Sequence, residues 1–307
     1  MDLISVVVPC FNEEESVPVF FEEFVKQTLD LRKQVNFEYI FVDDGSKDHT
    51  LREIKKIYNG VKSDRVKYVS FSRNFGKEAA LYAGLRKADG DYVAVMDVDL
   101  QDPPELLNEM YSILKTGDFD CVATRRSTRA GEPKLRSAFA RAFYKLINRV
   151  SETEIVDGAR DFRLMNRKMV LAVLELSEKN RFSKGIFSWV GFKTKWLSYE
   201  NVERKRGMTK WSFWKLFKYA MEGFLGYSSI LLIMPAVFVF LSFLASVSFL
   251  ICSFVCTGIL FPMLCGISIG IFLLSLFMLN IGLYLSKINK EVKNRPIYLI
   301  REEQDSK

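Results

Sequence analysis

The residues around which this sequence is organised are Met96-Asp97-Val98-Asp99-Leu100-Gln101-Asp102-Pro103-Pro104, which end an apolar run that begins at Tyr92. The run predicts a strand, and the two prolines prevent it from continuing in a sheet. Because alternate side chains of a strand point the same way, Asp97 and Asp99 can face one crevice. Neighbouring carboxylates repel each other unless a cation lies between them, and hard oxygen ligands favour Mg²⁺ or Mn²⁺. A solvated acidic turn is the alternative interpretation.

The first 124 residues alternate between short apolar runs and amphipathic segments. Strands are predicted at 4–8, 39–42, 66–71, 92–96 and 120–124, and helices at 15–29, 51–58, 77–88 and 106–114. This alternation predicts an α/β fold with a mostly parallel sheet and helices on both faces. In such sheets ligands bind at the carboxyl ends of the strands.

Polar clusters follow four of the predicted strands at that end. They are Asn12-Glu13, Asp43-Asp44, Ser72-Arg73-Asn74 and the pair Asp97 and Asp99. Polar turns are common, but four such clusters at one edge favour a ligand site. The sequence contains neither GxGxxG nor GxxxxGK[ST], so it supports neither a dinucleotide fold of the usual kind nor a P-loop.

Two later segments are strongly basic. Eight cations lie between residues 125 and 149, on a segment that is either an ordinary surface helix or a helix near an anionic surface or substrate. A second group of cations lies in Glu203-Arg204-Lys205-Arg206-Gly207-Met208-Thr209-Lys210-Trp211. Cations at this density need anions, and phosphates are the obvious partners.

The C-terminal third predicts a membrane anchor. No Asp, Glu, Lys or Arg occurs from Gly223 to Ser286, which exceeds the ~20 apolar residues that one crossing needs. We expect a soluble domain at 1–211, an interfacial amphipathic helix at 212–227, a two-helix transmembrane hairpin within 228–286 (about 230–256 and 262–285) and a tail at 287–307. Basic residues flank the hairpin on both sides, which predicts a cytoplasmic catalytic domain and cytoplasmic termini. Residues 297–300 could add as an edge strand to another sheet, for which a neighbouring subunit is one candidate.

Other counts exclude several classes of site. The net charge of +7 is too modest to indicate nucleic-acid binding. The five cysteines form no CxxC pair, which indicates a reducing compartment rather than a disulfide or zinc framework. The single histidine, His49, excludes a Ser-His-Asp arrangement through any other residue. The N-terminus lacks a basic region and a cleavage site, so no signal peptide is expected.

Several motifs together resemble glycosyltransferase family 2, whose members are inverting enzymes with a GT-A fold. They are Val7-Val8-Pro9-Cys10-Phe11-Asn12-Glu13, Val42-Asp43-Asp44-Gly45-Ser46-Lys47-Asp48 and Asp97-Val98-Asp99-Leu100-Gln101-Asp102-Pro103-Pro104. The segments Ser72-Arg73-Asn74-Phe75-Gly76-Lys77 and Arg206 to Trp211 resemble the polyprenyl-phosphate branch, such as bactoprenol glucosyltransferases and dolichol-phosphate mannose synthases. The resemblance covers essentially the whole chain.

The resemblance implies a donor site for a nucleotide sugar. Pro9 and Phe11 would flank the base, Glu13 would accept from the ribose hydroxyls, and Asp44 would accept from the uracil N–H. Asp97 and Asp99 would hold Mg²⁺ or Mn²⁺ at the diphosphate, with Asp99 counted among the catalytic residues. Arg206 and Lys210 would close over the same diphosphate.

The resemblance also implies a lipid acceptor at the inner (plasma) membrane. Arg125, Arg126, Arg129 and Arg136 would bind its phosphate, and Asp157 is the candidate catalytic base. The expected reaction is inverting transfer of a hexose, glucose from UDP-glucose, to undecaprenyl phosphate at the cytoplasmic face, giving a lipid-linked sugar for cell-envelope glycans. A homo-oligomer is expected. Alternatives are a GDP-mannose or UDP-aminoarabinose donor, a processive polysaccharide synthase, and a non-catalytic membrane scaffold.

Overall fold

The computed structural model describes residues 1–61, 64–126, 156, 158–179, 181–199, 230–255 and 260–305. The chain divides into two units. The first contains every described strand and the shorter helices, and the second contains two long helices.

The first unit is built on one eight-stranded sheet. Its strands are β1 (Asp2–Cys10), β2 (Val35–Asp43), β3 (Arg65–Phe71), β4 (Tyr92–Val95), β5 (Cys121–Arg126), β6 (Ala159–Asn166), β7 (Thr194–Tyr199) and β8 (Ile300–Gln304). Their order in the sheet is β7-β5-β6-β4-β1-β2-β3-β8.

Six α-helices among the described residues of the first unit pack around this sheet. They are α1 (Ser16–Gln27), α2 (Thr50–Gly60), α3 (Lys77–Lys87), α4 (Leu106–Lys115), α5 (Arg167–Glu175) and α6 (Ser183–Trp189). The predicted strand–helix alternation over the first 124 residues is therefore confirmed, with bounds that differ by a few residues.

The sheet is mixed rather than wholly parallel. β4, β1, β2 and β3 lie side by side in that order and run parallel to one another, as the alternation predicts. β6 is antiparallel both to β4 and to β5, and β8 is antiparallel to β3. The strand at 159–166 was not predicted, although Asp161 to Met165 alternates charged and apolar residues over its first part.

Helices cover both faces of the parallel strands. Phe24 of α1 packs edge-on against Phe37 of β2, with ring centroids 5.3 Å apart. On the opposite face, a Cβ added to Gly84 of α3 would lie 2.2 Å from Cγ1 of Val7, so α3 approaches β1 closely only because residue 84 is glycine. Burial on both faces explains why residues 4, 6, 7 and 8 of β1 form an apolar run with no polar face.

The second unit contains α7 (Ile230–Val255) and α8 (Leu260–Val292), which contact each other. Within α8, Gly266–Ser286 is long and apolar enough to cross a membrane. The described part of α7 includes a shorter apolar stretch, Val237–Ser248. The predicted interfacial helix at 212–227 lies outside the described residues.

The tail forms a strand that pairs within the same chain. β8 pairs with β3 of the same chain, and Tyr298 just before it stacks on Phe71 with ring centroids 4.8 Å apart. Ser72 N–H also donates to the Leu299 carbonyl at 2.9 Å. The tail therefore does add an edge strand to a sheet, as expected, but the strand is 300–304 rather than 297–300, and it pairs with the open edge of β3 in the same chain.

Candidate active site

Four polar loops lie at one edge of the sheet. β3, β2, β1 and β4 are neighbours in that order and run parallel. Their carboxyl ends therefore meet at one edge, and each is followed by one of the polar clusters singled out in the sequence. The prediction that these clusters share an edge is confirmed by the strand order.

Asp44 is buried at the start of the loop after β2. Its Oδ1 accepts from the N–H of Phe75 at 2.6 Å, and its Oδ2 accepts from the N–H of Gly76 at 2.9 Å. Burial raises the pKa of Asp44 to about 6, although these two backbone donors act to lower it. The carboxylate thus joins the loops that follow β2 and β3.

The neighbouring glycine allows this contact between the loops. Gly45 has φ +66°, and a Cβ there would lie 2.3 Å from the carbonyl carbon of Arg73. A larger residue could not fit without moving the backbone. Beside Gly45, Ser46 Oγ accepts from the N–H of Asn12 at 2.9 Å, and Asn12 Oδ1 accepts from the N–H of Lys47 at 2.8 Å. These bonds fix the loop after β1 to the loop after β2.

The other predicted donor-site residues of the first loop lie beside these contacts. Pro9 pairs with Val42 in the parallel ladder, and Phe11 is half-buried just beyond the strand. Glu13 accepts from Ser16 Oγ at 2.7 Å at the start of α1. The structure therefore places Pro9, Phe11, Glu13 and Asp44 at the ends of two adjacent strands.

Asp97 and Asp99 follow β4 with the alternation that the sequence predicts. Both are half-buried, whereas Met96, Val98 and Leu100 between and beside them are buried. Asp99 Oδ1 accepts from the N–H of Gln101 at 3.1 Å. The two carboxylates thus lie on the accessible side of the same turn.

Asp97 is already paired with a cation. Nζ of Lys77, the first residue of α3, lies 2.6 Å from Asp97 Oδ1 and 2.5 Å from Oδ2 of Asp161 on β6. Burial disfavours the charged ammonium group, but Asp161 and Asp97 outweigh it and raise the pKa of Lys77. Burial likewise disfavours ionised Asp161, and Lys77 outweighs it and lowers the pKa of Asp161.

A second charged group holds the turn after Asp99. Arg160 Nε donates to Asp102 Oδ1 at 2.8 Å, and the Tyr199 hydroxyl donates to the same oxygen. Asp102 is 1% exposed, and its Oδ2 has no hydrogen-bond partner among the described residues. Burial raises the pKa of Tyr199, and the Asp102 charge raises it further. Strands β6 and β7 thereby fix the position of the Asp97–Asp102 turn.

The donor set at Asp97 and Asp99 fits a hard divalent ion. Mg²⁺ is usually held by one or two carboxylates together with waters and substrate phosphates, not by a full protein cage. Two accessible carboxylates on one turn meet that requirement. The described residues contain no group of three or more His, Cys, Asp or Glu side chains arranged to hold a metal.

Several predicted site residues fall outside this description. Asp157, Arg129, Arg136, Arg206 and Lys210 lie outside the described residues. Arg125 is exposed on β5, and its Nε donates to Ser198 Oγ on β7 at 2.9 Å. Arg126 ends β5.

Sequence reasoning missed five residues that the structure brings to this site: Lys77, Asp102, Arg160, Asp161 and Tyr199. Lys77 and its partner Asp161 are 84 residues apart in the sequence, and Asp102 and its partner Arg160 are 58 residues apart. The alternation at 161–165 was the one local signal that could have placed Asp161 on a strand beside β4.

Comparison with known proteins identifies the family. The profile of Glycosyl transferase family 2 matches residues 5–174. CsbB of Bacillus subtilis (strain 168), named as a glycosyltransferase, is 41% identical over 98% of this chain and 92% of that protein.

Two further relatives carry more specific names. The SfII prophage-derived bactoprenol glucosyl transferase of Shigella flexneri is 40% identical over 97% of both chains. The prophage bactoprenol glucosyl transferase homolog of Escherichia coli (strain K12) is 38% identical over 97% of this chain and 98% of that protein.

A solved structure of glucosyl-3-phosphoglycerate synthase from Mycobacterium tuberculosis is 20% identical over 72% of this chain and 76% of that chain, with a TM-score of 0.45. That likeness is too distant to assign a donor or a metal. The profile match and the near full-length identity to the relatives do assign the family: this chain is a glycosyltransferase and belongs to glycosyltransferase family 2.

Proposed function

We propose that this enzyme transfers glucose from UDP-glucose to a polyprenyl phosphate, such as undecaprenyl phosphate, with inversion at the anomeric carbon. The observation that carries the proposal is the grouping of Asp44, Asp97 and Asp99 at the carboxyl ends of β2 and β4, the two strands that flank β1 in the sheet. The names of the 38–40% identical relatives, bactoprenol glucosyl transferases, support the lipid acceptor and the glucosyl group.

The donor's nucleoside would occupy the ends of β1 and β2. Pro9 and Phe11 would flank the base, Glu13 would accept from the ribose, and Asp44 would accept from the uracil N–H. The bonds from Phe75 and Gly76 hold the Asp44 carboxylate in a fixed orientation for this role. Such pre-set acceptors favour a base that presents an N–H over one that does not.

The donor's diphosphate would lie at the turn after β4. Asp97 and Asp99 would hold Mg²⁺ or Mn²⁺ there, and Arg206 and Lys210 would close over the phosphates. When bound, such an ion offsets negative charge that develops on a departing nucleoside diphosphate. Lys77 holds the Asp97 carboxylate in position through its ion pair. The Asp102–Arg160 pair keeps the whole turn in place.

The acceptor phosphate would act as the nucleophile. Its second pKa is near ~6, so it is largely a dianion at neutral pH and needs no strong base. A phosphate oxygen forms a bond to the anomeric carbon as the bond from that carbon to the diphosphate oxygen breaks, and the electron pair leaves with UDP. Asp157 would position the acceptor or remove a residual proton, and Arg125, Arg126, Arg129 and Arg136 would bind its phosphate.

A lipid acceptor stays in the bilayer, so the enzyme that uses it must be attached to the membrane. Helix α8 can provide this attachment. We propose that α7 and α8 cross the membrane as a hairpin, with the catalytic unit and both termini in the cytoplasm. The basic residues before 223 and after 286 support this orientation.

The proposal is tested with the purified full chain in neutral lipid nanodiscs that contain undecaprenyl phosphate. Radiolabelled UDP-glucose, GDP-mannose and UDP-aminoarabinose are supplied in parallel with Mg²⁺ or Mn²⁺. An organic-soluble product from UDP-glucose alone is expected. Product from another donor would replace glucose in the proposal, a polymer would indicate a synthase, and no turnover with any donor would refute lipid glycosylation.

A matched pair of variants tests the role of the acidic turn. Asp99→Asn should lower kcat by roughly a hundredfold or more, since several kcal/mol of charge stabilisation is lost. Asp30→Asn makes the same change at an exposed surface carboxylate, 81% exposed, and should leave kcat unchanged. Equal activity of the two variants would remove Asp99 from the reaction.

A further inference from the structure

A groove of about 370 Å³ lies beside the candidate donor site, between the start of α2 and β8. Three cationic side chains line it, Arg52, Lys55 and Arg301, together with the imidazole of His49. None of the residues assigned above to the donor or the acceptor is among its lining residues.

Arg52 carries its charge without a partner in the described structure, and the His49 side chain beside it also has none. His49 and Arg52 are exposed at the start of α2, and no described residue forms a hydrogen bond or ion pair with either side chain. Exposed arginine is common on protein surfaces. What differs here is that Arg52 faces a concave space shared with two other cations, Lys55 and Arg301.

The other two cations are fixed by contacts that leave them at the groove. Lys55 Nζ lies 2.6 Å from Glu302 Oε2, with both side chains more than a third exposed. Arg301 Nη2 donates to Ser70 Oγ at 3.1 Å and lies 4.0 Å from Asp43 Oδ2, while its side chain is 50% exposed. Their orientation is thus set before any ligand arrives, which reduces the entropy lost on binding.

The acidic residue that lines the groove bonds to groups other than these cations. Asp48 also lines it, but its Oδ1 accepts from the N–H and hydroxyl of Thr50, and its Oδ2 accepts from the N–H of Glu14. Its carboxylate is therefore directed to backbone and hydroxyl donors of neighbouring loops. The start of α2 adds the partial positive charge of a helix N-terminus, where the N–H of Thr50 is bonded to Asp48.

We propose that this groove binds a phosphate group, as a second anion site separate from the reaction centre. Arginine provides planar paired donors that match a phosphate, and lysine adds a point charge. The phosphate could belong to an anionic lipid headgroup or to a soluble phosphate compound. Its chemistry is the same in both cases.

Occupancy of the groove would act on the donor site through a shared loop. Ser46 lines the groove, its N–H donates to Asp43 Oδ1 at 2.9 Å, and its hydroxyl accepts from the N–H of Asn12. A bound phosphate therefore holds the same loop that carries Asp44.

The one histidine of the chain gives a direct readout, since a single imidazole resonance reports on the groove. The full chain, labelled with ¹³C-histidine, is reconstituted in nanodiscs of phosphatidylcholine in the presence of a chelator. Inorganic phosphate is then titrated. A saturable shift of the His49 resonance is expected. In a second arm without added phosphate, part of the phosphatidylcholine is replaced by phosphatidylglycerol.

Matched variants separate specific binding from general charge effects. Arg52→Gln should weaken the apparent affinity about tenfold, the loss of roughly one charge-assisted contact. Lys33→Gln removes one positive charge from a residue that is 75% exposed and outside the groove, and should change nothing.

A shift with phosphate alone identifies a soluble ligand, and a shift with phosphatidylglycerol alone identifies a lipid headgroup. A shift in both arms shows that either source fits. No saturable shift in either arm, or the same midpoint in wild type and Arg52→Gln, would overturn the proposal. These outcomes do not depend on which sugar the enzyme transfers.

Discussion

Nζ of Lys77 lies 2.6 Å from Oδ1 of Asp97, so one carboxylate expected to hold a metal is already paired with a cation of the protein. The same ammonium group bonds Asp161 at 2.5 Å. One lysine at the start of α3 thereby connects the turn after β4 with β6. The positive charge of Lys77 therefore offsets part of the negative charge of Asp97 and Asp161 before any substrate binds.

Lys77→Met is expected to destabilise the first unit by about 2–3 kcal/mol, because it leaves two partly buried carboxylates without their cation. Thermal unfolding of the full chain in detergent checks this. Lys33→Met is the control, since it makes the same change at an exposed residue paired only with Asp30. Equal melting temperatures for the two variants would show that Lys77 is not needed to stabilise the carboxylates.

The raised pKa of Asp44 predicts a pH dependence of nucleotide binding. Protonation of Asp44 stabilises the folded protein, a contribution that is complete below the ordinary value of 3.8 and lost as the pH rises through about 6. The ionised form is the better acceptor for a uracil N–H. UDP affinity should therefore fall as the pH is lowered through about 6.

Calorimetric titration with UDP at several pH values from 5 to 8 measures this stepwise change in affinity. In Asp44→Asn the step should disappear and the affinity at pH 7.5 should drop roughly tenfold, as expected for one lost charged hydrogen bond. A wild-type affinity that stays constant across this range would contradict the role of Asp44 in holding the base.

Tyr199→Phe tests the support of the acidic turn. Loss of its hydroxyl leaves the buried Asp102 carboxylate with one donor fewer, at a cost of about 1–3 kcal/mol. Tyr92→Phe removes the same atom from a half-buried tyrosine whose hydroxyl has no hydrogen bond among the described residues, and should cost less. Chemical denaturation compares the two, and a larger loss for Tyr92→Phe would refute the proposed support.

The attachment of the tail is tested at Tyr298. Tyr298→Ala removes the ring that stacks on Phe71 and should cost about 2–4 kcal/mol. Tyr298→Phe keeps the ring, loses only the hydroxyl that bonds with Arg86, and should cost less than the alanine variant. Proteolysis of the tail, followed by mass spectrometry, should be faster in the alanine variant alone. Similar cleavage of both would show that the stacking does not hold β8.

Local patterns predicted the parts of the site that are local. The alternation through Asp97, Val98 and Asp99 sets which side chains are accessible, and the strand–helix order sets which edge they share. Both follow from periods of two to four residues, so the sequence displays them directly.

The unpredicted contacts join distant parts of the chain. β6 inserts between β4 and β5, so Asp161 meets Lys77 across 84 residues, and Arg301 reaches Ser70 across 231. Periodicity contains no information on such pairings. The partners are selected by the geometry of the sheet, and each residue alone resembles an ordinary surface charge.

The position of β8 has a consequence for how the chain is made. Synthesis proceeds from the N-terminus, and residues 300–304 emerge only after α7 and α8. Until then β3 is an uncovered edge strand with unpaired backbone groups, which can pair with other chains. The nascent catalytic unit is thus most prone to associate with other chains while α7 and α8 are still being synthesised. This period ends when β8 pairs with β3.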